Sequence, residues 1–552
     1  MIDVCLLVEG AYPYVTGGVS SWLHALISHL PDLTFAVVYI GPCPDPQRKA
    51  LYTLPENVKE FREVFISDVQ SVKIHARRNY QSAAWSALQE FHDAMAGGKP
   101  YDINFFLPLL REPGFAGLTT ADLFHARQSW ELIVKLYQLY APAESFVDFF
   151  WTFRFTYLPV FTILETVLPQ AGVYHAVSTG FSGLLGALAK IRSGRPFIVT
   201  EHGLYTRERE IEIAQSTWMK QLSADQHISK QPMNFFQEWW FNIYRFMEKI
   251  TYDSADTIIS ITSVNQQYQL KHGAAPRKMQ LVPNGIDIER LAHLRQPENP
   301  ALPHTGEAAL SSTTSIKRTG RKKSRRNAGR TQQGRKSTSL KEIHSQKATS
   351  QREMGAAQRF LIGFIGRIVS IKDVKTFIRA IKIVQQTIPD LEVYLVGPTT
   401  EEQKYFQDCC RLVSLLKLDA VVHFTGPADV RDYYRKLDVI ILTSLSEGQP
   451  LVILEGNCAG IPVVATDVGA CRELLLGASP EDQALGASGV ITPVASPHET
   501  AHAIIQLWRD KDARLRMGHV GRERVRRFYA QEQLYSTYQR IYRSFIVSEV
   551  QK

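Results

Sequence analysis

Short apolar runs alternate with amphipathic helical patterns along both halves of this 552-residue chain. In the first half the apolar runs are Ile2–Val8, Thr34–Ile40, Val173–Val177, Pro196–His202, Thr257–Thr262 and Met279–Asn284. In the second half they are Phe360–Gly366, Leu391–Gly397, Val421–Gly426, Val439–Thr443 and Pro462–Thr466. Such runs separated by helices are typical of parallel strands that are covered on both faces. The pattern predicts an α/β protein with two Rossmann-like, doubly wound parallel-sheet domains.

A compositional break separates the two halves. From Leu294 to about Gln358 the chain is rich in Pro, Ser, Thr, Gly, Lys and Arg, and residues 311–352 contain thirteen Lys or Arg and one acid. This segment has a formal charge of +12 within a chain of +9, so the remainder is slightly acidic, at −3. The composition indicates a disordered linker or insertion. Two hypotheses stay open for it, contact with an anionic surface or polymer and a merely solvated insertion.

The predicted organisation has four parts. Residues 1–293 form a first domain, in which the region of about 42–142 is an aromatic helical elaboration that the pattern cannot order. Residues 294–358 are the basic insertion, residues 359–525 a second domain, and residues 526–552 a terminal helix. Ligands of open parallel sheets bind at the carboxyl ends of the strands, so the facing edges of two such domains would form a cleft.

Several features predict a cytoplasmic protein. The six cysteines contain no C-x-x-C and no metal-ligand spacing, which is typical of a reducing compartment. The chain opens directly on a strand pattern, without the basic region of a secretory signal. The one membrane-like stretch, Phe146–Leu164, contains Asp148, Arg154 and Pro159, which favours a buried or amphipathic helix over a membrane span.

Two carboxylates, Glu447 and Glu455, flank the start of a predicted helix between two buried strands. Pro450 is suited to the first helical turn, where its missing N–H is not needed. Glu455 would lie in an element covered by the sheet, so its carboxyl requires a hydrogen-bond partner. Taken alone, the two residues are equally well interpreted as a solvated loop acid and a satisfied core acid.

Other polar residues follow predicted strands and converge on the same cleft. Gly17 and Gly18 open a helix after the first strand, where a phosphate could approach backbone N–H groups. Arg367 directly follows Gly366 at the end of a predicted strand, and Lys372 precedes the next helix. The two cations could therefore clamp a diphosphate.

Two further runs end strands of the first half. His202, in Glu201-His202-Gly203, could donate to a phosphate or sugar oxygen, although alone it is as well explained as a structural histidine. The Pro283–Asp287 run contains an Asn-Gly turn signal and is predicted to form a hinge.

Together these residues match the chemistry of a nucleotide sugar. A ribose presents two vicinal hydroxyl donors, which one buried carboxylate, Glu455, could accept. Glu447 on the loop would accept from hydroxyls of the sugar. Arg367 and Lys372 would stabilise negative charge as the diphosphate leaves.

The same residues resemble a known family. The Glu447-x7-Glu455 spacing, the Gly366-Arg367 and Lys372 pattern, the PNGID run and TDVGACRELL (Thr466–Leu475) resemble retaining glycosyltransferases of family GT4, which have the GT-B fold. Four longer runs are similar to the PelF-type glycosyltransferases of bacterial Pel exopolysaccharide synthesis. They are VEGAYPYVTGGVSSW (Val8–Trp22), HAVSTGFSGLLGALAK (His175–Lys190), VTEHGLYTRERE (Val199–Glu210) and GRIVSIKDVKTFIRA (Gly366–Ala380).

The resemblance implies a GT-B fold in which the last helix, within Leu534–Val550, returns to the first domain. It implies catalytic roles for Glu447, Arg367, Lys372 and His202, with His202 near the donor sugar or the transferred bond. The nucleotide-sugar-binding set that it implies is Glu455, Gly17, Gly18, Gly366, Gly448 and Leu451. It also implies a UDP-sugar as substrate, no cofactor and no metal, in agreement with the position of the D-x-D at Asp510–Asp512 in the helical tail.

The resemblance further implies a polysaccharide acceptor, inner-membrane synthesis or export proteins as partners, and no specific nucleic acid. The location that it implies is cytoplasmic and peripheral to the inner membrane. Two alternatives remain: a GT-B-fold nucleotide-sugar epimerase or sugar phosphorylase, and a catalytically degenerate scaffold that docks to an anionic membrane or nucleic acid through the basic insertion.

Overall fold

The computed structural model describes residues 2–15, 17–68, 82–97, 101, 103–110, 117–215, 234–294 and 359–550. The basic insertion predicted at 294–358 lies outside these residues, except for Leu294, and so does part of the region 42–142.

The first half folds around a parallel sheet whose described strands have the order β3-β2-β1-β4-β5-β6-β7. These strands are β1 (Ile2–Glu9), β2 (Phe35–Gly41), β3 (Val58–Phe65), β4 (Ala171–Ala176), β5 (Phe197–Glu201), β6 (Thr257–Ser260) and β7 (Met279–Leu281). Strand β1 pairs with both β2 and β4, so that Val4 lies between Phe35 and Val173. The strand order reverses between β1 and β4, which is the switch point at which doubly wound sheets bind ligands.

Helices cover both faces of this sheet. They are α1 (Gly18–Ser28), α2 (Ser82–Gly97), α3 (Thr120–His125), α4 (Arg127–Tyr140), α5 (Phe146–Glu165), α6 (Phe181–Ser193), α7 (Tyr205–Gln215), α8 (Phe235–Ser254), α9 (Ser263–Lys271) and α10 (Ile288–Ala292). Helices α2, α5, α6 and α8 pack on one face and α1 on the other. Glycine permits the closest of these contacts, because a Cβ on Gly186 of α6 would lie 2.0 Å from the Phe197 ring.

The second half contains a parallel sheet with the described order β10-β9-β8-β11-β12-β13. Its strands are β8 (Phe360–Ile365), β9 (Leu391–Val396), β10 (Val422–Gly426), β11 (Val439–Leu442), β12 (Val463–Thr466) and β13 (Gly489–Thr492). Its helices are α11 (Val374–Gln385), α12 (Gln403–Leu415), α13 (Val430–Tyr434), α14 (Leu451–Ala459), α15 (Cys471–Leu476), α16 (Pro480–Gln483), α17 (Pro497–Arg509) and α18 (Lys511–Phe528), followed by the terminal helix α19 (Gln531–Val550). Two apolar clusters, one on each face of the sheet, form its core.

Helix α19 returns to the first domain. Its Tyr542 hydroxyl lies 2.7 Å from His175 Nδ1, and its Tyr538 hydroxyl lies 2.9 Å from Thr200 Oγ1. Both tyrosines are buried in the cluster that also contains residues of β1 and β2. The predicted fold class is therefore confirmed: the chain has two doubly wound parallel-sheet domains and a C-terminal helix that crosses back to the first.

The sequence patterns missed two strands. Strand β3 lies in the region 42–142, where helical stretches were predicted, and β13 lies in a segment for which no strand was predicted. Both are edge strands with one neighbour each. Two predicted strands also end two or more residues earlier than expected, β6 at Ser260 and β7 at Leu281.

The membrane-like stretch forms α5, which contains Pro159 and is amphipathic. Phe149, Phe153 and Tyr157 are fully buried, whereas Val147 and Trp151 are exposed. Within the described ranges, no helix has both the length and the apolar character needed to cross a bilayer.

Candidate functional site

Two loops of the second domain meet at the carboxyl ends of β8 and β11. Thr443 Oγ1 donates to the carbonyls of Lys372 and Asp373, at 3.1 and 3.0 Å. The backbone N–H of Leu445 donates to the carbonyl of Ile371 at 2.8 Å. Adjacent parallel strands place their carboxyl ends side by side. As a result, residues separated by more than seventy positions in sequence become neighbours.

Lys372 and Glu447 form an ion pair at this junction. Lys372 Nζ lies 2.5 Å from Glu447 Oε1, and the Ser444 hydroxyl donates to the same oxygen at 2.5 Å. The Lys372 and Glu447 side chains are 18% and 10% exposed. Because water is largely excluded, this pair is less screened than a surface ion pair. It therefore presents a cation and a carboxylate in fixed positions.

The TDVGACRELL run packs against the loop that carries Glu447. Gly469 has a φ of +51°, and a Cβ there would lie 2.0 Å from the carbonyl oxygen of Glu447. The Ala470 N–H donates to the Gly448 carbonyl at 2.9 Å. Glycine is required at position 469 because a side chain would displace the loop that carries Glu447.

The first domain contacts this loop across the cleft. A Cβ on Gly448 would lie 2.8 Å from the His202 carbonyl oxygen, so the two backbones are in close contact. Gln449 Oε1 accepts from the Asn284 N–H at 2.7 Å. Farther along, the Ser263 hydroxyl donates to the Glu473 carboxylate. The structure therefore brings together His202, Gly448, Glu447 and Lys372.

His202 directly follows β5. Its ring lies against the Trp22 indole, with the ring centroids 4.4 Å apart and the planes at 68°. Burial lowers the pKa of His202 to about 4, so the imidazole is neutral near pH 7. Its Nε2 is buried, and the described part of the chain offers that atom no hydrogen-bond partner. A neutral imidazole with an unpaired nitrogen can either donate to or accept from a sugar or phosphate oxygen.

Glu201 anchors the strand that presents His202. Its carboxylate accepts from Tyr252 at 2.7 Å, Gln269 at 2.8 Å and Thr179 at 3.1 Å. Burial raises the pKa of Glu201, which is fully enclosed. These bonds fix the end of β5 between α8 and α9.

Glu455 lies on α14 and has the partner that its burial requires. The Tyr434 hydroxyl of α13 donates to Glu455 Oε2 at 2.6 Å. Removal from water raises the pKa of Glu455, and the bond from Tyr434 partly offsets that effect. Leu451, the first residue of α14, is half-buried, and Pro450 is the N-cap rather than a residue of the first turn.

The other predicted residues lie at strand ends but do not join this group directly. Arg367 is exposed and pairs with Glu401 at 2.6 Å, so the two cations face different carboxylates. Gly366 has a φ of +154° at the end of β8. Gly17 and Gly18 begin α1, with open space where a Cβ would lie on either. This space leaves the N-terminus of α1 accessible to a ligand.

Four polar residues around the group were absent from the sequence prediction: Ser444, Gln449, Tyr434 and Glu473. Ser444 and Gln449 lie within the run around Glu447, and Glu473 lies within TDVGACRELL. Their position in these motifs is a signal that could have identified them. Tyr434 lies 21 residues before Glu455, and no local pattern connects the two. Within the described ranges, no cluster of three or more His, Cys, Asp or Glu side chains is arranged to hold a metal ion.

Two family models match the chain. The first, described as a domain of unknown function (DUF3492), covers residues 2–277. The second, described as glycosyl transferases group 1, covers residues 359–510. The boundary between the two matches coincides with the change from the first sheet to the second.

Curated relatives resemble part of the chain. D-inositol 3-phosphate glycosyltransferase of Corynebacterium kroppenstedtii is 30% identical over 189 residues, which is 32% of this chain and 40% of that protein. Capsular polysaccharide biosynthesis glycosyltransferase CapM of Staphylococcus aureus is 24% identical over 187 residues, 34% of this chain and 47% of that protein. The chain spans less than half the length of these relatives.

Solved structures resemble nearly the whole chain. HepE of Anabaena, in complex with UDP and glucose, has a TM-score of 0.51 at 14% identity and covers 98% of this chain and 99% of its own. Sucrose-phosphate synthase of Thermosynechococcus elongatus has a TM-score of 0.54 at 16% identity, with 99% of both chains covered. At these identities the likeness establishes the GT-B fold. The chain belongs to the DUF3492 family, whose model matches half of it, and its second domain is a group 1 glycosyltransferase domain.

Proposed function

We propose that this protein is a retaining glycosyltransferase that moves a hexose or N-acetylhexosamine from a UDP-sugar to a growing polysaccharide. The observation on which this rests most is the Lys372–Glu447 ion pair at the cleft, with the adjacent Gly448 against the His202 carbonyl. A fixed cation, a fixed carboxylate and a neutral imidazole are thereby within reach of one ligand. Such groups can stabilise a departing diphosphate and bind the hydroxyls of the transferred sugar.

In this proposal each group acts on a different part of the donor. Lys372 and Arg367 stabilise the negative charge of the departing diphosphate, and the N–H groups at the start of α1, at Gly17 and Gly18, contact its phosphates. Glu447 accepts hydrogen bonds from the transferred sugar, and His202 contacts that sugar near the breaking bond.

The nucleoside lies in the second domain. Glu455 accepts from the ribose hydroxyls, and its pKa, raised by burial, falls again when two donors bind it. In this proposal Gly366, Gly448 and Leu451 contact the same ligand through their backbone or, for Leu451, its side chain. Because two cations neutralise the diphosphate, we propose that the reaction needs no metal ion.

The comparisons support the choice of substrates. The related HepE structure contains UDP and glucose, and the relative CapM is named for capsular polysaccharide biosynthesis. The motif resemblance described above favours a Pel-like exopolysaccharide, made at the cytoplasmic face with inner-membrane synthesis proteins as partners. The Pel-like product, the cytoplasmic location and the membrane partners are parts of the proposed function.

A transfer assay with a panel of UDP-sugars tests the proposal. The purified protein is incubated with UDP-glucose, UDP-N-acetylglucosamine or UDP-N-acetylgalactosamine and an oligosaccharide acceptor, with and without EDTA. Proton NMR then gives the anomeric configuration of the product. We expect one donor to yield a glycan with its configuration retained, at a rate that EDTA leaves unchanged. Glu447→Gln should reduce kcat about 100-fold or more.

The matched control is Asp429→Asn, which neutralises an exposed carboxylate paired with Arg431. This variant should keep full activity. Release of an interconverted monosaccharide instead of a glycan would replace the proposal with an epimerase or phosphorylase. Equal rates for Glu447→Gln and the unchanged protein would remove Glu447 from the reaction, and no turnover of any donor would favour a non-catalytic scaffold.

A further inference from the structure

Trp22 of α1 is buried at the end of the first domain that faces the cleft. Its side chain is 8% exposed, and its ring contacts three others at near-perpendicular angles. The centroid distances are 4.4 Å to His202, 5.3 Å to Tyr538 and 6.3 Å to His175. Trp22 therefore lies between His202 on one side and the terminal helix α19 on the other.

Side chains and backbone around His202 fix the end of the strand that carries it. Thr200, two residues earlier, bonds to His175 at 2.8 Å and to Tyr538 at 2.9 Å, and Gly448 closes on the His202 carbonyl. On the imidazole, Nε2 is without a partner in the described part of the chain. The ring packs against Trp22, so this contact contributes to the orientation of the imidazole.

We propose that Trp22 is a positioning residue that holds the imidazole of His202 in its orientation for sugar transfer and shields it from water. The inference rests on the function proposed above for His202. Tyr538 and Tyr542, which bond to Thr200 and His175, support Trp22 from α19. The returning helix thereby contributes to the site from outside the cleft.

Shielding by Trp22 has a measurable consequence for the charge of His202. Among the described residues, the titratable groups in the surroundings of the ring include His175 on β4, Tyr538 on α19, Glu201 beside it on β5, Glu208 on α7, whose carboxylate lies against Gly203, and Glu447 on the opposite loop. Burial, rather than a charge on these groups, holds the pKa of His202 at about 4 instead of 6.5. A smaller side chain at position 22 admits water, so the pKa of His202 should rise toward 6.5.

The test compares Trp22→Leu and Trp22→Phe with the matched control Trp130→Leu, which removes a half-exposed tryptophan on α4. The His202 pKa is measured by NMR titration of the full-length protein, with the signal assigned by its absence in His202→Gln. UDP affinity, kcat and KM are measured in parallel. Trp22→Leu should raise the pKa of His202 by one unit or more and lower kcat by about 100-fold, because the imidazole is displaced.

In the same variant UDP affinity should stay within twofold of the original, because the described ring contacts of Trp22 are with His175, His202 and Tyr538, and none of these is proposed to bind the nucleotide. Trp22→Phe keeps a ring in place and should give an intermediate pKa and rate, which preserves the test if Trp22→Leu fails to fold. The inference is overturned if the His202 pKa and kcat of both variants match those of Trp130→Leu. If the unaltered protein transfers no sugar but the pKa still rises, the shielding by Trp22 stands and the proposed reaction fails.

Discussion

Tyr434 and Glu455 meet through one hydrogen bond between α13 and α14, at 2.6 Å. Tyr434 is fully buried and Glu455 is half-buried, so this donor offsets part of the cost of enclosing the carboxylate. Replacing Tyr434 by Phe keeps the ring and removes only the hydroxyl. We expect the unfolding free energy at pH 7 to fall by about 1–3 kcal/mol, as for other buried groups that lose a partner.

Urea unfolding measures this change, with the adjacent Tyr433→Phe as the control. The Tyr433 ring packs against Tyr394 and beside Lys436. Its hydroxyl is not part of the Glu455 bond, so this variant should change stability by about 0.5 kcal/mol or less. Equal losses in the two variants would contradict the role given to the Tyr434 hydroxyl.

The Lys372–Glu447 pair predicts a coupling energy that an exposed pair lacks. A double-mutant cycle with Lys372→Met and Glu447→Gln should give about 1–3 kcal/mol, because both side chains are largely enclosed. The same cycle on the exposed Asp429–Arg431 pair should give about 1 kcal/mol or less. Thermal or urea unfolding of the six variants provides both values. Coupling energies of equal size would show that burial adds nothing to the functional pair.

The sequence patterns predicted where the candidate residues lie along the chain, but not the partners that they contact in the fold. Glu447, Lys372 and His202 each follow an apolar run, so the pattern placed them at strand ends. The partners Tyr434 and Trp22 are selected by tertiary packing, which leaves no local signal. The pairing of Arg367 with Glu401 could likewise not be predicted, because nothing in the sequence distinguishes one exposed acid from another.

At the scale of elements, Arg524 anchors α18 to the second domain. Its guanidinium is fully buried and donates to Asp482 at 2.5 Å and to the carbonyls of Leu475 and Gly486 at 2.7 and 2.6 Å. Arg524→Ala leaves Asp482 buried without its cation, which should cost about 3–5 kcal/mol of unfolding free energy. Urea unfolding provides the measurement.

The control for this prediction lies on the same helix. Arg526 is exposed and pairs with Glu523 at 3.3 Å, so Arg526→Ala should cost about 1 kcal/mol or less. Arg524→Lys keeps the charge but loses the planar fork, and should have an intermediate stability. An Arg524→Ala variant as stable as Arg526→Ala would show that the buried bonds do not anchor the helix.

The accuracy of the predicted elements depended on their place in the sheets. Central strands are buried on both faces, so β11 is wholly apolar and β1 contains the apolar run from Val4 to Val8. The missed strand β3 has the sequence VKEFREVF, in which pairs of charged residues interrupt the apolar ones because an edge strand is partly exposed. The other missed strand, β13, is four residues long and begins with glycine. Edge strands carry a weaker periodic signal for these physical reasons.

At the scale of the molecule, buried histidines link stability to pH. Burial lowers the pKa of His175 to about 3, well below the 6.5 of an exposed histidine. Between these values the unfolded chain binds a proton that the folded protein does not, so the contribution of His175 to stability is lost as pH falls from about 6.5 to about 3. The buried acids Glu201 and Glu248, whose pKa values are raised by burial, act in the opposite sense.

Comparing a His175 variant with the unaltered protein separates the effect of this histidine on the pH dependence of stability from that of the buried acids. In the unaltered protein, His175 makes the unfolding free energy rise with pH between about 4 and 6.5. In His175→Gln the slope of unfolding free energy against pH should be lower, by up to about 1.4 kcal/mol per pH unit. Urea unfolding at several pH values gives the slopes. His125→Gln, which changes an exposed histidine on α3, should leave the slope unchanged. Identical slopes for all three proteins would contradict a neutral, buried His175.

Calorimetric titration with UDP and with the UDP-sugar tests whether Glu455 and Glu447 of the second domain bind different parts of the donor. Glu455→Gln should weaken the binding of both ligands equally, by about tenfold or more, because both contain the ribose. Glu447→Gln should weaken the binding of the UDP-sugar but not that of UDP, because the change frees Lys372 for the diphosphate and removes an acceptor only from the sugar. If the unaltered protein binds neither ligand, or if both variants bind both ligands as tightly as it does, the account is wrong.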